Sequence, residues 1–158
     1  MLFLLFRLGT DRYVLESSQV VEVLPVVDWK AIPRAIPGVA GVFNFHGSIV
    51  PLIDLARIAL DRPSQLTMST RIILVNYIGG GQDANDGGHL LGIIVEEATA
   101  TMRRSREEFV DAGVGADGAP YLGPVTRDET GIIQWIDVMH LLSEEVREQL
   151  FSADALVR

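Results

Sequence analysis

The chain has 158 residues and a formal net charge of −8, with 48% hydrophobic and 22% charged residues and no cysteine. That length supports one packed domain or two small barrels sharing a core, and the composition excludes a disordered chain. The acidic balance excludes a nucleic-acid partner, which needs a basic face, and an anionic membrane surface; the missing thiols exclude a disulfide framework and thiolate chemistry.

Taken in chain order, the apolar segments are short, β-branched and bounded by turn residues, which predicts strands. They are LFLLFRL (2–8), RYVLES (12–17), QVVEVL (19–24), VAGVFNF (39–45), SIVPLID (48–54), TRIILVNY (70–77), HLLGIIVEEA (89–98) and GIIQWID (131–137). Gly9-Thr10-Asp11 predicts a three-residue hairpin loop, and His46-Gly47 a second tight turn. The run IGGGQDANDGG (78–88) predicts a loose hairpin tip.

Helix signals are few. Asp54 can cap a short helix over LARIAL (55–60), which ends before Arg62-Pro63. A closing helix starts from Asp137 or Ser143, with Val138, Leu141, Leu142, Val146 and Leu150 at helical spacing. Residues 152–158 are expected to fray as a tail. Many short strands with helical fillers predict a mainly β barrel or sandwich. The two halves share a plan, each ending in a leucine-rich turn (IDLARIAL and IDVMHLL).

Candidate chemistry is sparse. His46, Ser48 and Asp54 offer the residue types of a hydrolase, yet no G-x-S-x-G elbow surrounds Ser48. A hairpin would place His46 at its tip and Asp54 far down the return strand. His46, His89 and His140 stand singly, outside any metal-ligand spacing. DANDGG (83–88) opens like a calcium loop but has Gly87 and Ile94 at ligand positions. VGADG (114–118) is a weak glycine pattern, and Glu96 and Glu97 fall on opposite strand faces. MRRSR (102–106) runs directly into Glu107 and Glu108, a solvated face. MLFLLF lacks the flanks of a signal peptide, and no stretch reaches membrane-span length, so a soluble cytoplasmic protein is expected. A non-enzymatic binding module without cofactor or metal is the remaining class. In QVVEVL, strict alternation puts Val20, Glu22 and Leu24 on one face and Val21 and Val23 on the other. One set serves either as core with a rim charge or as a partner surface.

GVFNFHGSIVPLIDLARIAL (41–60) resembles the signature of the CheW-like domain, the adaptor of bacterial chemosensory arrays. That signature runs G-apolar-x-N-apolar-R-G-x-apolar-apolar-P-apolar-apolar-D-L, and Gly41, Asn44, Gly47, Pro51, Asp54 and Leu55 fall in place. FRLGTDRYVLESSQVVEVL resembles the family's opening hairpin and the short segment after it. TRIILVNY with HLLGIIVEEATATMR resembles its paired strands, and YLGPVTRDETGIIQWIDVMHLL its last hairpin and closing helix. The resemblance spans residues 2 to 151.

The resemblance implies a CheW-like fold: two five-stranded β-barrel subdomains around a shared core, with residues 1–151 as one domain. It implies a scaffold coupling the cytoplasmic tip of chemoreceptors to the regulatory domain of a CheA-type histidine kinase, the alternative being a CheW-like module that binds a kinase without receptor coupling. One surface would dock on the kinase, and a groove between the barrels would receive the receptor's helical hairpin. By position, Val20 and Gly41 match kinase-docking residues, while Glu22, Val23 and His46 match receptor-side residues. Asn44 and Gly47 would shape the turn, Pro51 would mark a barrel rim, and Asp54 would cap the helix. The family usually has arginine where His46 stands, and an imidazole lacks the planar fork of donors. That departure points to an alternative chemosensory-type pathway, such as one governing surface behaviour or a diguanylate cyclase. The loop at 79–88 is a second departure, since the family's loop there is often shorter.

Overall fold

A computed structural model describes residues 1–78, 88–112 and 119–151 of the chain, Thr99 by its backbone alone. Nine strands form one continuous hydrogen-bonded system. They are β1 (Leu2–Leu8), β2 (Asp11–Glu16), β3 (Val20–Pro25), β4 (Val39–Phe45), β5 (Ser48–Asp54), β6 (Arg71–Tyr77), β7 (His89–Arg103), β8 (Leu122–Asp128) and β9 (Gly131–Ile136). Helix α1 covers Leu55–Leu60 and α2 covers Glu144–Phe151.

The key element is β7, a strand of 15 residues that belongs to two barrels. Its first half pairs with β6 antiparallel and with β5 parallel, through Leu52↔Gly92 and Ile53↔Ile93. Its second half pairs with β1, through Leu5↔Ala100 and Leu2↔Arg103. Between the halves the register slips, and Glu97 takes a left-handed backbone with φ +47°. A bulge of this kind bends a strand and raises its twist, so one chain segment turns from one barrel into the next. The expected strand over 89–98 therefore runs past the bend to Arg103.

Alternation along the strands sorts the apolar side chains into three clusters. Phe3, Val14, Phe109 and Ile133 fill the first barrel, built from β1, β2, β9, β8 and the second half of β7. Phe43, Val50, Leu52, Ile72, Leu74 and Ile94 fill the second, built from β3, β6, β5, β4 and the first half of β7. The opposite faces of the same strands meet between the barrels, where Leu4, Phe6, Leu8, Ile53, Ile73, Val75, Ile93 and Ile136 share the largest cluster. On β1, Phe3 points into its barrel while Leu4, Phe6 and Leu8 point into the shared core, as a period of two requires. Gly92 faces the second interior, where an added Cβ would lie 2.6 Å from Cε1 of Phe43.

Three more expectations change in detail. Leu8 pairs with Asp11, so the first hairpin loop is the two residues Gly9-Thr10, with Gly9 at φ +62°. The strand β8 was anticipated only by the family resemblance, because its Gly123 and Pro124 break the apolar pattern that marks its neighbours. The closing helix is two elements that use both candidate caps. Asp137 starts a 3-10 turn over Val138–His140, its Oδ1 accepting from Met139 N–H at 3.1 Å. Ser143 Oγ accepts from Val146 N–H at 3.2 Å at the start of α2. The tip at 79–87, the pattern 114–118 and the tail 152–158 lie outside the described residues.

Candidate docking surface

Among the described residues, the strand β3 is the end member of its sheet, hydrogen-bonded to β6 along one side. Its register shifts between Val20, which faces Val75, and Glu22, which faces Leu74. Two residues on β3 thus oppose one on β6, a bulge of the sort that protects open sheet edges. Cross-strand partners share a face, so the bulge corrects the strict alternation expected for QVVEVL. Val20 and Glu22 stand on opposite faces, Leu24 shares the face of Glu22, and Val23, opposite Ile73, shares that of Val20. Val20 packs partly into the shared core and Leu24 into the second barrel. Val21 is 53% exposed, Val23 is 41% exposed, and Glu22 is exposed between them.

At the far edge of the same sheet lie β4 and β5. A strap of residues 26–38 links β3 to β4 and closes the second barrel. Lys30 N–H donates to Val42 C=O at 2.8 Å, and Val42 N–H donates back to Lys30 C=O at 2.9 Å. Trp29 packs against the second interior beside them. Gly41 is buried beneath this strap with φ +154°, and an added Cβ would meet Lys30 O at 2.0 Å. The backbone that Gly41 admits is therefore the chain's own. The β4–β5 hairpin turns at His46 (φ +50°) and Gly47 (φ +88°), the pair of left-handed residues of a type I′ turn. Asn44 Oδ1 accepts from Gly47 N–H at 2.8 Å and fixes that turn. The exposed His46 ring meets the Phe45 ring edge-on at 4.3 Å, and the nearby Ile49 is 67% exposed.

Pro51 is buried rather than standing at an exposed rim. It pairs with Val42, whose own N–H and C=O are bonded to Lys30, so this pair asks no donor of Pro51. Asp54 is buried, and its carboxylate is fully engaged. It accepts from Ala56 N–H at 3.1 Å, from Ser64 N–H at 2.9 Å and from Ser64 Oγ–H at 2.5 Å. The β4–β5 register puts His46 at the hairpin tip and Asp54 at the opposite end of β5, so the hydrolase residues do not converge. Among the described residues, no group of three or more His, Asp or Glu could hold a metal ion.

Glu96, just before the bend of β7, ties the barrels along their seam. Its carboxylate accepts from Gly9 N–H at 3.1 Å, in the turn of the first barrel. It also accepts from Gln65 N–H at 2.7 Å and from Arg62 Nη1 at 2.8 Å, in the loop after α1. The Arg62 guanidinium, then the two backbone N–H groups, hold this carboxyl down at about 2 against the cost of burial. Glu97 points away and meets Arg7 at 3.4 Å. The sequence marks Arg62 only as a helix stop and Glu96 only as one of a split pair of acids, and it does not single out Trp29 or Lys30. The positive φ of Glu97 leaves no mark in its residue type, and nothing in WKAIP marks a strap.

The site residues thus fall in two groups, Val20, Glu22 and Val23 on one sheet edge, and Gly41 and His46 on the other. The CheW-like domain model matches residues 2–146 of the chain, spanning both barrels and both edges. The chain belongs to the CheW-like family. Among its relatives is Chemotaxis protein CheW of Treponema pallidum (strain Nichols), 29% identical over 150 residues, which cover 92% of this chain and 84% of that relative. Chemotaxis protein CheW of Bacillus subtilis (strain 168) is 28% identical over 145 residues, covering 90% of this chain and 86% of the relative. The scaffolding protein TtCheW of Thermoanaerobacter tengcongensis superposes with a TM-score of 0.78 at 20% identity, covering 92% of this chain and 89% of that one. The two chains share the CheW-like fold over that span.

Proposed function

We propose that this chain is a non-catalytic adaptor that couples the cytoplasmic tip of chemoreceptors to a CheA-type histidine kinase. It would act in the cytoplasm as a single CheW-like unit over residues 1–151, with 152–158 as a tail. None of the described helices is long and apolar enough to cross a membrane, in keeping with that reading. The observation that carries the proposal is the open edge of β3 in a chain of this family. There Val21, Glu22 and Val23 are held in the solvent by a strand whose other side is anchored to β6. Exposed valines on a rigid edge are surface that a partner can bury.

Within this reading Val20 and Gly41 serve the kinase side, and Glu22, Val23 and His46 the receptor side. The bulge supports such a division, since it turns the neighbours Val20 and Glu22 to opposite faces. Gly41 would act by seating the strap, being buried itself. His46, on a two-residue turn, offers a receptor fewer and shorter-reaching donors than arginine, which favours an alternative chemosensory pathway. Pull-down of the kinase regulatory domain and of a receptor tip tests the division. Glu22→Lys should lose the receptor and keep the kinase, Val20→Asp should do the reverse, and His46→Arg should change receptor recovery alone. Equal loss of both partners in Glu22→Lys and Val20→Asp would overturn it.

A further inference from the structure

At the end of the first barrel, where β2 hands over to β3, the surface holds a cavity of about 270 Å³. Trp135 lines it, backed by a packed aromatic cluster in which its ring lies 4.9 Å from Phe3 and 5.0 Å from Phe109. Glu16, Gln19 and Asp137 line it too, with Pro124 beside them. The chain's own Arg106 reaches in, its guanidinium carbon 5.5 Å from the centre of the Trp135 ring. An aromatic face flanked by carboxylates attracts a cation twice over, through the ring quadrupole and through charge.

Arg106 uses only part of what the cavity offers. Its guanidinium lies over the ring, while the neighbouring Glu108 pairs with Arg104 instead. Glu16 accepts from Ser18 Oγ–H through one oxygen, and Asp137 accepts from Met139 N–H and bonds His140 Nδ1. Carboxylates have lone pairs to spare beyond these bonds. Arg106 belongs to an exposed turn, so its hold on Trp135 is that of a surface cation–π pair and is displaced at small cost.

We propose that this cavity is a receptor for an arginine side chain of a protein partner, and that Arg106 occupies it in the free protein. The incoming guanidinium would stack on Trp135 and bond Glu16 and Asp137 at the rim, while Arg106 swings out to solvent. Charge complementarity selects the occupant, a cationic residue against an acidic rim in a chain of net charge −8. Gln19 immediately precedes β3, so a partner seated along that strand has the cavity within reach. The site does not depend on which proteins those partners are.

The test is a titration of the isotope-labelled full chain with N-acetyl-arginine amide, followed by NMR at the Trp135 indole N–H and the Glu16 and Gln19 amides. N-acetyl-citrulline amide, equal in shape but neutral, is the control. Saturable shifts confined to these groups are expected with the arginine probe alone. Affinity should rise about threefold in Arg106→Ala, where the internal competitor is gone. It should fall at least as much in Glu16→Gln, whose fold the same spectrum checks. Absence of saturable shifts in Arg106→Ala, equal shifts with citrulline, or unchanged affinity in Arg106→Ala would each overturn the proposal.

Discussion

The two barrels share a strand and a plan, yet they are built by different means. The first is filled by rings, with Phe3, Phe109 and Trp135 in mutual contact, and its ring of strands closes where Val110 and Val125 exchange hydrogen bonds at 2.8 Å. The second is filled mostly by aliphatic side chains and closes where Lys30 bonds Val42, directly over Gly41. The first therefore stands on the bulk of its side chains, and the second on how closely two backbones approach. A glycine in the family signature can thus serve the closure of a barrel by letting two backbones approach.

Substituting matched glycines isolates that difference. Gly41 and Gly131 both hold positive φ, +154° and +136°, but a Cβ at Gly131 meets nothing within 4 Å. Gly131→Ala, in a turn of the first barrel, should cost only backbone strain, about 1–2 kcal/mol. Gly41→Ala adds a collision with the Lys30 carbonyl and should cost about 3 kcal/mol or more, read by denaturant unfolding. Equal losses at the two positions would erase the distinction between the barrels.

The seam between the barrels gives a smaller effect with a pH signature. Glu96→Gln removes the charge that Arg62 and the Gly9 and Gln65 amides share, and should cost about 2 kcal/mol at neutral pH. A carboxylate held down at about 2, against an ordinary 4.5, stabilises the fold above pH 4.5 and loses that contribution as pH falls towards 2. The gap in melting temperature between the parent chain and Glu96→Gln should be flat from pH 7 to 5 and shrink below 4.5. A gap that is unchanged down to pH 2 would show that the charge is not what Glu96 contributes.

The smallest effect on stability belongs to the open edge. Val21→Ser replaces a side chain that is 53% exposed on the bulge of β3 and should leave stability within about 0.5 kcal/mol. Partner recovery should fall nonetheless. A loss of stability as large as that of Glu96→Gln would mean that Val21 is core and not surface.

Most of the fold was legible because its strands carry period-two patterns bounded by turn residues. VAGVFNF and SIVPLID match β4 and β5 to the residue, and His46-Gly47 marks their turn. What escaped depends on the third dimension. The bend at Glu97 is a backbone event with no glycine to announce it, so β7 was cut short. The bulge in β3 inserts one residue without altering composition, so alternation misplaced Val20 relative to Glu22. The family signature supplied the position of Gly41, but its close packing under Lys30 leaves no local mark in the sequence. The Trp135 cavity gathers Glu16, Arg106, Trp135 and Asp137 from segments far apart in the chain, and no local pattern joins them.

The proposed coupling of a kinase to a receptor turns on the edge of β3. Kinase autophosphorylation in a mixture of this chain, a CheA-type kinase and receptor tips tests it most directly. The rate should change by about tenfold or more only when all three are present, and return to the two-component value with Glu22→Lys. The same rate with and without this chain, receptor tips being present, would contradict it.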